Sequence, residues 1–140
     1  MDKKSIVLDT VEMISQLMGE LESKAFEQEG FTDITMNQMQ YLETIARLEK
    51  PTFGDIADQL DVTRPSVSTI IKKLIQSGYV YKDQSSKDGR VFYLHLTKKG
   101  LRFNELHSEV HQILAQSITE NLDENEIEAL SDLLTKITPR

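Results

Sequence analysis

Thr63-Arg64-Pro65-Ser66-Val67-Ser68-Thr69-Ile70-Ile71-Lys72-Lys73-Leu74-Ile75-Gln76 reads as a helix with two unlike faces. Thr63 offers a side-chain oxygen to the free N–H groups of a first turn, with Ser66 three residues on. Pro65 suits that turn because its missing N–H has no intrahelical partner to lose. Val67, Ile70, Ile71 and Leu74 fall at helical spacing on one side. Arg64, Ser66, Ser68, Thr69, Lys72 and Lys73 are left on the other, and no carboxylate occurs anywhere in the stretch. Hydroxyls, a guanidinium and two ammoniums are the groups that meet phosphates and base edges in a major groove.

The flanks complete a motif. Thr52, with Asp55 three residues on, starts a preceding helix whose buried positions are Ile56, Ala57 and Leu60, and Leu60-Asp61-Val62 leaves room only for a tight turn. After Gly78, a helix stop, Tyr79 to Lys82 and Arg90 to Leu96 are strand-like runs around the polar tip Asp83 to Gly89. Helix, turn, helix and basic hairpin predict a winged helix-turn-helix. In the wing, Lys87 and Arg90 are cations, and Arg90 suits the negative potential of a narrow minor groove. Asp88, two residues away, is expected to hold Arg90 by a bidentate pair and preorganise it.

The net charge of −7 over 140 residues conceals a division. From Thr63 to Arg102 there are nine Lys or Arg and two acids; the remaining 100 residues hold seven bases and 21 acids. A basic face on an acidic body matches a phosphate backbone. Cysteine is absent, which excludes disulfides and thiolate chemistry and fits a cytoplasmic protein. No run is long and apolar enough to span a bilayer, and the start reads as no signal peptide, so no membrane partner is expected. No phosphate-binding glycine loop or paired nucleophile and histidine appears, so no enzyme is expected.

Outside the motif the chain is helical. Ile6 to Phe26 places Val7, Val11, Ile14, Met18, Leu21 and Ala25 on a heptad seam, followed by a loop from Glu27 to Asp33. Thr35 and Gln38 form a capping box for a helix with Met36, Met39, Leu42, Ile45 and Leu48 as its inner face. Thr97 caps a long helix to about Glu120, lined by Phe103, Leu106 and Val110. Asp123 and Glu126 open a last helix edged by Ile127, Leu130, Leu134 and Ile137. A wing domain does not need these extra helices for its own core, so a homodimer interlocked through both termini is expected. The expected fold is mainly α with a small β-wing. Residues 1–34 and 97–140 supply dimerisation helices, and 35–96 the winged helix-turn-helix DNA-binding domain. Twofold symmetry would set two such helices in successive major grooves of double-stranded DNA, about 34 Å apart.

The Leu60-Asp61-Val62-Thr63 entry, the Ile71-Lys72-Lys73-Leu74 to Gly78-Tyr79-Val80 exit, Asp88-Gly89-Arg90 and Leu96-Thr97-Lys98-Lys99-Gly100 resemble the MarR family of transcriptional regulators over nearly the whole chain. The resemblance implies a homodimeric, ligand-responsive repressor on a near-palindromic operator. It assigns DNA binding to Thr63, Arg64, Pro65, Ser66, Ser68, Thr69, Lys72, Lys73, Lys87, Asp88 and Arg90. Thr69 stands where many relatives carry Arg, so no relative's operator preference carries over. A protein-interaction adaptor without DNA readout is the alternative, and the carboxylate-free outer face argues against it.

No cofactor is required by this reading, but two effectors suggest themselves. His107 and His111, four apart on the long helix, put both imidazoles within reach of one zinc ion. Zinc-sensing relatives resemble this pair; where they add a histidine on the second helix this chain has Gln40, with Glu20, Glu22 or Glu105 as possible replacements. Relatives that control fatty-acid synthesis are similar around Phe31 to Thr35 and Leu106 to Gln112, which implies a small-molecule or acyl effector near Met13, Met18, Met36, Met39, Phe26 and Phe31. The bland reading of these residues is core packing.

Overall fold

The computed structural model describes residues 2–139. Its elements are α1 (Lys3–Gln28), α2 (Met36–Leu48), α3 (Phe53–Leu60), α4 (Arg64–Gln76), β1 (Val80–Gln84), β2 (Phe92–Leu96), α5 (Lys98–Asn121) and α6 (Glu124–Ile137). Residues Phe26–Leu106 form one compact unit; the chain ends, up to Ala25 and from His107, form a second.

Local chemistry sets the helix starts. Thr35 with Gln38, Thr52 with Asp55 and Asp123 with Glu126 each make both hydrogen bonds of a capping box. Thr63 accepts from the Ser66 N–H, and Thr97 from the Gly100 N–H at 3.1 Å. The first helix begins earlier than its apolar seam suggests, because the Asp2 carboxylate accepts from the Ser5 N–H at 2.7 Å. Gly78, at φ 83°, ends α4 in a conformation that L side chains resist.

In the unit of residues 26–106, α3 and α4 pack on each other and on α2, with Leu42, Ile56, Val67, Ile71 and Leu74 buried between them. Met36 departs from the expected inner face and is 75% exposed. Each step of three residues falls about 60° short of a full turn, so by Met36 the side chain has drifted about 120° from Leu42. Buried Tyr41 and Thr44 take the positions that the simple count overlooks.

The two-stranded antiparallel wing pairs Val80 with Leu96 through Gln84 with Phe92. Behind it, Glu49 and Lys50 both adopt positive φ, reversing the chain so that the Pro51 carbonyl accepts from the Leu94 N–H at 2.8 Å. Thr52 forms an isolated bridge to Tyr93. The hairpin is thereby fastened to the start of α3 as well as to α4.

The expected domain limits at 34/35 and 96/97 lie inside the observed unit, which reaches Phe26 and Leu106. An aromatic cluster extends it. Phe26 stacks on Phe103 at 4.8 Å between centroids, and Phe31 and Tyr79 meet Phe103 edge-on at 5.4 and 6.1 Å. The Tyr79 hydroxyl donates to Asp33 at 2.9 Å, and burial, then Asp33, pushes its phenol above the ordinary value, so it remains a donor. Arg102 grips both oxygens of Glu29 (2.6 and 2.5 Å), and that hydrogen-bonded pair lowers the Glu29 carboxyl below its usual range.

The unit of the chain ends contrasts with this. Ile6, Val7, Leu8, Val11 and Ile14 on α1, and Leu133, Leu134 and Ile137 on α6, are all about half exposed or more. Its apolar positions are spaced for packing and are incompletely covered by one chain.

Candidate nucleic-acid interface

The site begins with the burial pattern of α4. Val67, Ile71 and Leu74 are buried, while Arg64, Pro65, Ser66, Ser68, Thr69, Lys72 and Lys73 are not, and all but Thr69, Lys72 and Lys73 lie in its first turn and a half. Packing of the apolar face therefore fixes which side chains look outward. Thr63 sits at the cap, and its hydroxyl also lies 2.9 Å from that of Ser66. The Thr69 hydroxyl donates back to the Pro65 carbonyl at 3.0 Å, which leaves its lone pairs outward as acceptors. The helix thus presents one guanidinium, two ammoniums and a row of hydroxyls.

At the wing, the expected pair is present. The Arg90 Nε and Nη2 donate to the two Asp88 oxygens at 3.2 and 3.3 Å, and the Arg90 backbone N–H donates to Asp88 Oδ1 at 3.0 Å. The Arg90 side chain is 91% exposed. The guanidinium hydrogen bonds, then the backbone one, hold the Asp88 carboxyl below its usual range. Ser85 Oγ accepts from the Lys87 and Asp88 N–H groups, and Gln84 donates to the Gly89 carbonyl at 2.8 Å. The tip is a hydrogen-bonded turn, which is why β2 begins at Phe92 and β1 runs on to Gln84, unlike the expected strand limits.

Electrostatics follow the same division. Residues 26–106 hold eleven bases and eleven acids, with nine of the bases and two of the acids between Thr63 and Arg102. The unit is neutral and strongly polarised along its sequence; the whole net charge of −7 resides in the chain ends.

The histidine pair lies in the other unit. The His107 and His111 rings are 4.6 Å apart, and Glu22 joins them, with one ligand atom from each residue within 4.8 Å of the others. Of the three carboxylates the sequence offers, Glu20 is tied to Gln16 and Glu105 to Arg102, and Glu22 is the one brought to the imidazoles. Two imidazole nitrogens and a carboxylate oxygen suit zinc with one position left open. No spacing could have selected Glu22, which comes from a different helix.

A sequence model of the MarR family matches residues 34–92, which covers the capped α2, the α3–α4 pair, β1 and the wing tip, and ends where β2 begins. The transcriptional regulator FarR of Neisseria gonorrhoeae is 31% identical over 106 residues, 75% of this chain and 72% of that protein. The chain belongs to the MarR family. Among solved structures of that fold, Streptococcus pneumoniae FabT in complex with DNA superposes with a TM-score of 0.77 at 27% identity, covering 97% of this chain and 94% of that one. A mutant of S. aureus MepR bound to an oligodeoxyribonucleotide gives 0.70 at 27% identity, covering 98% and 96%. This MarR-family transcriptional regulator carries, in sequence, one helix before and two helices after its winged helix-turn-helix. Among the described residues no helix is long and apolar enough to cross a membrane.

Proposed function

We propose that this MarR-family chain is a homodimeric transcriptional repressor that reads double-stranded DNA. In this reading α4 enters a major groove, and Arg90 of the wing enters the adjacent minor groove. The observation that carries it is the exposed, carboxylate-free row on α4 together with a wing arginine already aimed by its own aspartate. Arg64 and the hydroxyls supply base-edge contacts; Lys72, Lys73 and Lys87 supply phosphate contacts. The half-exposed apolar faces of α1 and α6 are the surface that a second copy covers, and FabT and the MepR mutant, similar over nearly their whole length, are seen with DNA. Enrichment of duplexes from a random-sequence pool tests this directly. The expected product is a near-palindrome whose binding weakens steeply with salt. Recovery of no preferred sequence, with salt-insensitive binding, would favour the adaptor reading.

A second proposal concerns the ligand. Glu22, His107 and His111 form a site for a divalent ion of the zinc type, and its occupation would be the signal. The alternative acyl effector draws less support, because Phe26 and Phe31 are buried in the aromatic cluster rather than lining a pocket. For protein stripped with chelator, zinc at 100 times its Kd adds about 2.7 kcal/mol to stability. A raised melting temperature is expected for the parent chain, and none for Glu22→Gln or His111→Ala. An equal rise in those variants would place the ion elsewhere.

A further inference from the structure

Gly54 occupies the second position of α3, and the reason for a glycine there is not conformational. Its φ is an ordinary helical one, whereas Gly30 and Gly78 have positive φ. Within a helix glycine is the less favourable choice relative to alanine. What distinguishes the position is its neighbour. A Cβ built on Gly54 would lie 2.8 Å from Nη2, 3.3 Å from Cζ and 3.5 Å from Nε of Arg64. The three nearest heavy atoms all belong to one guanidinium. Arg64 is itself exposed, so this contact with Gly54 restricts a side chain that would otherwise sample many rotamers over the start of α4.

We infer that Gly54 is a specificity-determining positioning residue: the bare α-carbon forms a shelf for the Arg64 guanidinium, aiming it for base readout. The inference rests on the DNA-reading assignment of Arg64 proposed above. Any side chain at 54 takes the space of the guanidinium, which swings away because it is the end of a flexible chain. Folding is spared, and the charge is kept. What is lost is direction, so sequence-specific binding suffers and nonspecific phosphate attraction does not.

The test is a cycle of Gly54→Ala, Arg64→Ala and the double variant. Each is titrated against the duplex enriched by the parent protein and against a scrambled duplex of equal length, with melting temperatures recorded. Gly54→Ala is expected to weaken the enriched duplex roughly tenfold, within the range of one lost bidentate contact. Its scrambled-duplex affinity should match the parent's, and its melting temperature should be equal or higher. In the Arg64→Ala background the same change should have no effect. If Arg64→Ala alone leaves binding intact, the DNA-reading assignment fails and the shelf with it. If Arg64→Ala weakens binding while Gly54→Ala does not, the assignment stands and the shelf is wrong. A Gly54→Ala loss that persists without Arg64, or a lowered melting temperature, also overturns the inference.

Discussion

Arg64→Ala and Arg90→Ala are each expected to cost about 1–3 kcal/mol per contact on the enriched duplex, roughly 5- to 150-fold in affinity, and a dimer loses two contacts with each substitution. The two changes should differ in kind. Arg64 emerges from the first turn of α4, where its loss relaxes discrimination at one base position in each half-site. In the proposed reading Arg90 enters by groove shape and potential, so its loss should fall on the A·T-rich or narrow part of the site. Asp88→Ala decides whether Arg90 acts by charge or by orientation. Removing the carboxylate makes the wing more positive, which on charge alone would tighten binding. The structure predicts weaker binding, because both guanidinium hydrogen bonds and the backbone hydrogen bond that shape the tip are lost. Fluorescence anisotropy across a salt series separates the two, and tighter binding by Asp88→Ala would contradict the role given to the pair.

The largest effect on stability is expected from Gly100→Ala. Gly100 is buried in the first turn of α5, and a Cβ there would lie within 2.2 Å of the Tyr79 carbonyl oxygen and 3.3 Å of Leu96 Cβ. The obstacle is backbone, which cannot rotate away. That same carbonyl accepts from the Thr97 N–H at 3.0 Å, so relief requires the start of α5 to lift from the Tyr79 backbone and this hydrogen bond to break. Overpacking of about 1–3 kcal/mol and a lost hydrogen bond of about 1 kcal/mol together give roughly 3 kcal/mol. For a chain of this size the melting temperature should fall by roughly 10 °C. Urea denaturation followed by circular dichroism measures it. A variant as stable as the parent would mean that the wing and α5 are not in the close contact described. Gly54→Ala, with the end of a side chain in its way instead of backbone, should behave oppositely.

The features legible in the sequence are those whose partners are near in the chain. Thr35 with Gln38, Thr52 with Asp55, and Asp123 with Glu126 are caps three residues apart, and Asp88 reaches Arg90 over two. Residue type and spacing suffice there, because the helix or turn sets the geometry. The division of α4 into buried Val67, Ile71, Leu74 and an exposed polar row followed from helical periodicity alone. Contacts that bind distant segments left no such trace. Glu29 meets Arg102 across 73 positions and Asp33 meets Tyr79 across 46, so nothing local announced that the reading unit would extend to Phe26 and Leu106. Gly54 and Gly100 were silent for a further reason: a glycine chosen for what fits against it looks, in sequence, like one chosen for a turn. Met36 misled because counting by threes drifts around the helix, and only the packing of Tyr41 and Thr44 shows the true face.

A polarised reading unit, duplicated as proposed by association of the chain ends, has one direct consequence for DNA. Hydroxyl-radical footprinting on the enriched duplex should show two protected segments centred about one helical turn apart, roughly 34 Å, related by a twofold axis and both weakened by Arg90→Ala. A single protected segment, or two whose protection is unchanged in Arg90→Ala, would contradict the account.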